Sequence, residues 1–168
     1  MNHSKDNIIL IGMPGVGKST VGVVLAKIMG YNFIDTDILI QEQEKCVLKD
    51  IIREKGIDGF IEIENKIICN IYEERAVIAT GGSVVYGREA MEHLRDIGTV
   101  IYLKLGYKRL RGRLGNIKNR GVILRKDQSL KDLYKERVPL YEEYAHIVID
   151  ETNRNVEETV EMLLEKLT

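Results

Sequence analysis

Cysteine, histidine and long apolar segments are all scarce in this chain. Its 168 residues contain two cysteines and three histidines, and Cys46 and Cys69 form no CxxC pair or Cys/His cluster. A zinc site or a disulfide framework is therefore not expected, and no histidine is assigned a catalytic role. No apolar run approaches the roughly 20 residues of a membrane span, and residues 1–6 lack the apolar core of a secretory signal. We expect a cytoplasmic protein with no membrane partner.

The charges are balanced overall but unevenly distributed. The formal net charge is −1, yet residues 104–126 contain nine basic residues and no acidic one. The acidic excess elsewhere and the few aromatic residues in this stretch argue against nucleic acid as a partner. A solvated helix face is one alternative, and a local binding region for nucleotide phosphates is the other.

A glycine-rich motif follows the apolar run at residues 8–11. Residues 12–20 read GMPGVGKST, which matches G-x-x-x-x-G-K-[ST]. The glycines allow backbone N–H groups to point inward at a triphosphate, Lys18 supplies a cation for the β- and γ-phosphates, and the Ser19 hydroxyl suits Mg²⁺. A glycine-rich turn that binds nothing is the alternative. The motif predicts a P-loop.

Strand and helix patterns alternate along the chain, and 44% hydrophobic with 30% charged residues fits one globular domain over residues 1–168. Strands are predicted at residues 8–11, 31–34, 76–79, 99–103 and 146–149. A helix is predicted from Lys18, because Val21, Val24, Leu25 and Ile28 recur at helical spacing. Further helices are predicted at 37–55 with a break, 59–74, 87–96, 107–114, 130–144 and 156–167, the last capped by Asn155 and Glu158. This order predicts the α/β class, with a five-stranded parallel sheet and helices on both faces.

Polar residues follow the second and third predicted strands. Ligands of parallel α/β sheets bind at the carboxyl ends of strands, so Asp35-Thr36-Asp37 would face the P-loop, one acid near Mg²⁺ and the other near the attacking hydroxyl. A pair of helix N-caps is the alternative. At residues 80–83, TGGS, either backbone amides approach a ligand or the chain makes a plain turn. The basic, glycine-containing segment 115–126 is predicted to be a mobile lid that closes over phosphates.

These motifs together resemble the shikimate kinase family over nearly the whole chain. The resemblance rests on the P-loop, Asp35-Thr36-Asp37, residues 79–82 (ATGG), Arg120 and residues 137–145 (RVPLYEEYA). It implies the three-layer α/β/α fold of P-loop nucleoside monophosphate kinases. It also implies phosphorylation of a small-molecule hydroxyl by ATP with Mg²⁺, shikimate being converted to shikimate 3-phosphate in aromatic amino acid biosynthesis.

The resemblance further implies roles for individual residues. The catalytic residues would be Lys18, Asp37 and Arg120, and the metal would be held by Ser19 and by Asp35 through water. The nucleotide would be bound by Gly12, Gly15, Val16, Gly17, Lys18, Ser19, Thr20, Arg113, Arg120 and Arg154, with Arg113 and Arg154 beside the adenine. The acceptor would be bound by Asp37, Ile61, Gly81, Gly82 and Arg137, the last at its carboxylate.

Three positions depart from the family pattern. Ile61 stands directly after Phe60, where the family has an arginine, so a carboxylate-binding guanidinium is missing while Glu64 is retained one helical turn later. Losing one such charge-assisted hydrogen bond would weaken acceptor binding by roughly one to two orders of magnitude. Ser83 replaces a glycine and Gly121 replaces a proline.

Other functions remain open at this point. A divergent kinase of the same fold would act on another hydroxylated metabolite, without a carboxylate or with an amine that Glu64 contacts. A nucleoside monophosphate kinase fits the motifs less well, and a non-catalytic nucleotide-binding module would not need Asp37. We expect a monomer whose partners are ATP and the small-molecule acceptor.

Overall fold

The computed structural model describes residues 6–115, 122 and 124–168. Within these residues the strands are β1 Asn7–Ile11, β2 Asn32–Asp35, β3 Ala76–Ala79, β4 Gly98–Lys104 and β5 Ile147–Asp150. The helices are α1 Lys18–Met29, α2 Thr36–Glu44, α3 Leu48–Cys69, α4 Arg88–Ile97, α5 Tyr107–Arg113, α6 Leu130–Tyr144 and α7 Val156–Leu167, with a short 3₁₀ helix at Val84–Tyr86. The predicted alternation of strands and helices is confirmed.

The five strands form one parallel sheet in the order β2-β3-β1-β4-β5. Every residue of β1 is buried, as expected for a central strand covered on both faces in a three-layer α/β/α fold. The buried Asn7 side chain accepts a hydrogen bond from the Ala76 amide (2.9 Å) and donates to the Ile97 carbonyl (3.2 Å). This side chain therefore ties the beginnings of β3 and β4 to β1, which keeps the opposite, carboxyl ends of the strands in step.

Helix α1 begins at Lys18, as predicted. Its buried residues include Val21, Gly22, Leu25 and Ala26, whereas Ile28, which follows the same helical spacing, is 57% exposed. Gly22 is part of this buried face, and a Cβ at its position would lie only 2.8 Å from the Phe33 ring. The missing side chain at position 22 thus allows the helix to approach β2.

Helices α2 and α3 pack around a small apolar group of their own, the α2–α3 cluster, formed by Ile40, Ile51, Phe60 and Ile67. Helix α3 continues from Leu48 to Cys69, but Gly56 within it has φ 73° and kinks it. The helix predicted at 59–74 is thus the second half of α3, and it ends at Cys69 rather than at residue 74. Asn70 ends it by donating its side-chain amide to the Lys66 carbonyl at 2.9 Å.

The C-terminal helix begins as predicted. Asn155 accepts a hydrogen bond from the Glu158 amide at 2.8 Å, and the Glu158 side chain accepts from the Asn155 amide at 2.8 Å, which completes a capping box. Of the predicted lid, residues 116–121 and 123 lie outside the described residues, and Arg120 and Gly121 lie there with them. No helix in the described part of the chain is long and apolar enough to cross a membrane.

Candidate active site

The P-loop connects the end of β1 to the start of α1. Its turns depend on positive φ angles at Gly12 (149°) and Gly15 (85°), and a Cβ on Gly12 would lie only 2.7 Å from the Leu103 carbonyl oxygen. Helix α1 begins after Gly17 without a side-chain cap. The first N–H groups of the helix therefore have no partner within it and face the cleft, where the positive end of the helix dipole favours an anion.

Lys18 is buried rather than exposed at the surface, with 7% of the residue accessible. Its Nζ donates hydrogen bonds to the carbonyls of Gly12 (2.6 Å) and Met13 (2.9 Å). Burial lowers the pKa of Lys18 to about 8, and the nearby Asp37 opposes that shift. A cation with so little water around it interacts strongly with any phosphate that enters the cleft.

Ser19 and Asp35 meet at the mouth of the same cleft. The Ser19 hydroxyl donates to Asp35 Oδ2 at 2.7 Å, while Asp35 Oδ1 accepts from the amides of Asp37 (3.0 Å) and Ile38 (3.3 Å). Asp35 is therefore the N-cap of α2, which was the alternative interpretation of the Asp35-Thr36-Asp37 motif. Its other oxygen still faces Ser19 of the P-loop. A hydroxyl and a carboxylate are the donors that Mg²⁺ takes when phosphate oxygens supply the rest of its shell.

Asp37 lies deeper, next to the backbone that follows β3. Its Oδ1 is 2.7 Å from the point that a Cβ on Gly81 would occupy. The Gly81 amide donates to Thr36 Oγ1 at 3.3 Å, which fixes α2 against this turn. Burial raises the pKa of Asp37, the neighbouring Asp35 adds to the shift, and Lys18 opposes it. Asp37 and Gly81 thus line one cavity together with residues of the P-loop.

Glu64 reaches the same glycine from α3. The residue is 2% exposed, and its Oε1 accepts a hydrogen bond from the Ser83 hydroxyl at 2.7 Å. Its Oε2 lies 3.0 Å from the Cβ position of Gly81 and has no hydrogen-bond partner among the described residues. Burial raises the pKa of Glu64 to about 7, against the opposing hydrogen bond from Ser83.

Arg137 enters the site from α6 and is 1% exposed. Its Nε donates to the Tyr86 hydroxyl at 3.2 Å, and the guanidinium carbon lies 5.2 Å from the centre of that ring. Nη1 is 2.9 Å from the Cβ position of Gly82, and Nη2 has no partner among the described residues. Tyr141, one turn further along α6, donates its hydroxyl to the Gly82 carbonyl at 2.5 Å.

Two cavities flank the P-loop. One, of about 450 Å³, is lined by residues that include Lys18, Asp37, Gly81 and Gly82. The other, of about 340 Å³, is bounded by Arg113, Glu151 and Arg154, so the two arginines assigned to the adenine lie together. The first cavity thus borders both the P-loop and the turn that follows β3. Gly17 and Thr20 line both.

The sequence and the fold were compared with those of known proteins. A family model for shikimate kinase matches residues 14–168. A shikimate kinase of Clostridium botulinum (strain Loch Maree / Type A3) is 41% identical over 152 residues, which cover 88% of this chain and 89% of the relative. The chain belongs to the shikimate kinase family.

Solved structures agree with this membership of the shikimate kinase family. The shikimate kinase from Acinetobacter baumannii in complex with shikimate superposes with a TM-score of 0.87 at 31% identity, covering 98% of this chain and 94% of that one. The shikimate kinase from Aquifex aeolicus gives a TM-score of 0.84 at 29% identity, with 96% and 95% covered.

Several residues of the site were not predicted from the sequence. Tyr86 positions Arg137, and Tyr141 positions the Gly82 carbonyl. Tyr141 follows Arg137 by four residues, and this spacing, which puts both on one helix face, could have indicated that Tyr141 belongs to the site. Glu151 is 3% exposed and follows β5 directly, so the rule about carboxyl ends of strands applied to it as well. Its Oε1 lies 3.7 Å from Arg113 Nη1, and burial raises the pKa of Glu151 to about 7, against the opposing Arg113.

Proposed function

We propose that this chain transfers the γ-phosphoryl group of ATP to a hydroxyl of shikimate, with the residue roles that its site geometry supports. Belonging to the family gives the reaction class. The observation that supports the residue assignment is that Lys18 and Asp37 line the same cavity and are close enough to affect each other's pKa, so a phosphate donor and a hydroxyl acceptor can meet there.

In this reaction the acceptor hydroxyl oxygen forms a bond to the γ-phosphorus, and the bond from that phosphorus to the β–γ bridging oxygen breaks to release ADP. Asp37 accepts the hydroxyl proton, and its raised pKa makes it a better proton acceptor than a solvated aspartate. Lys18 and the first N–H groups of α1 neutralise the charge that spreads over the phosphoryl oxygens. Arg120 lies outside the described residues and stays a prediction for the same task.

Ser19 and Asp35 are the residues that would hold Mg²⁺, which neutralises charge on the β- and γ-phosphates when bound. In the described chain no three His, Cys, Asp or Glu residues form a metal cluster, which fits a metal held mainly by phosphate oxygens and water. Arg113 and Arg154 bound the second cavity and are assigned to the adenine. A monomeric state, a cytoplasmic location and a mobile lid over residues 115–126 of a single domain belong to the same proposal.

The carboxylate of shikimate is assigned to Arg137, whose Nη2 is buried and unpaired among the described residues. A buried guanidinium nitrogen without a partner is costly, and a bound carboxylate oxygen would satisfy it. A second candidate function rests on Ile61: an acceptor with an amine in place of the carboxylate would instead pair with Glu64.

The test is a coupled assay of ADP release with shikimate, polyols, amino alcohols and nucleoside monophosphates as acceptors. Shikimate should be the acceptor with the highest kcat/KM. Asp37→Asn should lower kcat with shikimate, whereas Asp96→Asn should not, because Asp96 is exposed near the end of α4, just before β4 begins and thus away from the carboxyl ends of the strands. Absence of shikimate turnover, or a higher kcat/KM for an amino alcohol, would overturn the proposal.

A further inference from the structure

Glu64 is a buried carboxyl group with one oxygen left unused. Ser83 occupies Oε1, while Oε2 has no partner within the described chain and borders the face of Gly81. Asp37 Oδ1 lies 2.7 Å from the same Cβ position of Gly81. Two carboxyl groups therefore converge beside Gly81, which lines the same cavity as Asp37, and the free oxygen of Glu64 is buried directly behind this part of the cavity wall.

Among the described residues, no cation is in contact with Glu64. Asp37 on α2 disfavours its ionisation, while Arg137 on α6 and Lys18 on α1 favour it from a distance. No ion pair within 4.0 Å joins Glu64 to a basic side chain of the described residues. Ile61, one turn earlier on the same face of α3, brings no charge.

Two neutral groups also interact with Glu64. The Ser83 hydroxyl is its hydrogen-bond donor, and Tyr141 on α6 interacts with it as a phenol whose own pKa is raised by burial. The pKa of Glu64 is raised to about 7, mainly by burial. Near neutral pH the group thus exists both as a neutral carboxyl, which donates a hydrogen bond, and as a carboxylate, which can only accept.

We propose that Glu64 determines acceptor specificity by binding the acceptor's carboxylate in its protonated form, with the Oε2–H group donating a hydrogen bond beside the guanidinium of Arg137. This assignment rests on the proposed function, since it needs an acceptor that carries a carboxylate. The Oε1 atom continues to accept from Ser83. The proton stays on Glu64, and no bond to the acceptor is made or broken.

The proposed contact makes the KM for shikimate depend on pH, because Glu64 must be neutral to donate its hydrogen bond. At pH values below about 7 the neutral Glu64 donates to the acceptor, and at higher pH its carboxylate repels the acceptor's carboxylate. The KM for shikimate should therefore rise by up to about tenfold per pH unit above the pKa. The kcat value should follow this titration much less, because the hydrogen bond forms equally in the ground state and in the transition state.

The experiment measures the KM for shikimate from about pH 6 to about pH 9, a range that brackets the Glu64 pKa, in the wild type, in Glu64→Gln and in Glu62→Gln. The glutamine amide donates a hydrogen bond at every pH, so Glu64→Gln should show a KM that stays low where the wild-type value rises. Glu62 is exposed on the same helix, and Glu62→Gln should behave as the wild type. Lys18 also titrates in this range, but it does so in all three proteins and cancels in the comparison.

A second variant and a spectroscopic measurement make the test independent of one substitution. Ile61→Arg should place a guanidinium beside Glu64, hold it ionised, flatten the pH profile and lower the KM at about pH 8 roughly tenfold. An infrared difference spectrum between the acidic and basic ends of the same pH range should contain a protonated-carboxyl band that Glu64→Gln removes and Glu62→Gln does not.

Four results would overturn the assignment. With shikimate as a working substrate, a KM that is flat across this range in the wild type, or that rises equally in Glu64→Gln, would refute the role of Glu64 and leave the proposed function intact. A KM for an amino alcohol that falls as the pH rises would show that Glu64 acts as a carboxylate. Absence of shikimate turnover at every pH would overturn the proposed function itself, and this assignment with it.

Discussion

Replacing Gly81 by alanine is expected to damage catalysis while leaving the fold intact. A Cβ at this position would lie 2.7 Å from Asp37 Oδ1 and 3.0 Å from Glu64 Oε2. Gly81 has no positive φ, so alanine adopts its backbone conformation without strain. Both opposing atoms are the ends of carboxylate side chains, which can retreat by rotation without moving the backbone.

The expected fall in kcat depends on how far the Asp37 oxygen has to move. Ordinary van der Waals contact begins at 3.4 Å, so the Asp37 oxygen has to move by about 0.7 Å. Misplacing a reacting group by about 1 Å costs on the order of 100-fold in rate. We therefore expect kcat to fall roughly 10- to 100-fold, which corresponds to about 1.4 to 2.7 kcal/mol of lost transition-state stabilisation. The KM for the acceptor should rise as well, because Glu64 is displaced too.

The assay compares steady-state kinetics and urea unfolding of Gly81→Ala with those of Gly112→Ala. A Cβ on Gly112 in α5 meets nothing within 4 Å, so that variant should keep its activity and gain up to about 1 kcal/mol from better helix propensity. An active Gly81→Ala enzyme with wild-type kcat would refute the argument that Asp37 is positioned by contact with this glycine. A Gly81→Ala protein that fails to fold would refute the claim that the carboxylates yield easily.

The other predictions concern the donor side of the site. Lys18→Met keeps the buried aliphatic volume but removes the cation, so turnover should fall by at least roughly two orders of magnitude while the melting temperature changes little; near-normal turnover would contradict the role of Lys18. Asp35→Asn should raise the Mg²⁺ concentration needed for half-maximal activity, whereas Asp37→Asn should lower kcat at saturating Mg²⁺. Identical magnesium titrations for the two variants would contradict this division of roles.

The parts of the site that follow strands were predictable because the chain order fixes where strand ends lie. The P-loop, Asp35-Thr36-Asp37 and the turn at Gly81 all occur directly after parallel strands, and the structure brings them to one cleft. Local patterns could not show the burial of Lys18 or the unpaired oxygen of Glu64. Both depend on side chains from distant helices, and a single sequence states neither how deeply a group lies nor which partners it lacks.

The buried face of α1 and the bounds of α3 were harder to predict for a related reason. Gly22 lies on the buried face of α1 because it leaves space for the Phe33 ring, not because it is hydrophobic. The sequence predicted that one helix ends before Gly56 and that another begins at residue 59, yet α3 continues across Gly56 with a kink. Local propensity identifies the interruption, and tertiary packing decides whether the helix resumes.

The α2–α3 cluster has a consequence for how the molecule comes apart. Its four buried side chains form a small group beside the large core around β1 and β4, joined to it through Leu39 and through Ile68 at the end of α3, and a group with less buried apolar surface opens at a lower free energy than the whole domain. Native-state hydrogen exchange should therefore see amides of α2 and α3 exchange through partial opening, while those of β1 exchange only with global unfolding. Since Asp37 and Glu64 are carried by these two helices and Lys18 by the main core, thermal or chemical stress would first produce a protein that still binds nucleotide but has lost its acceptor site.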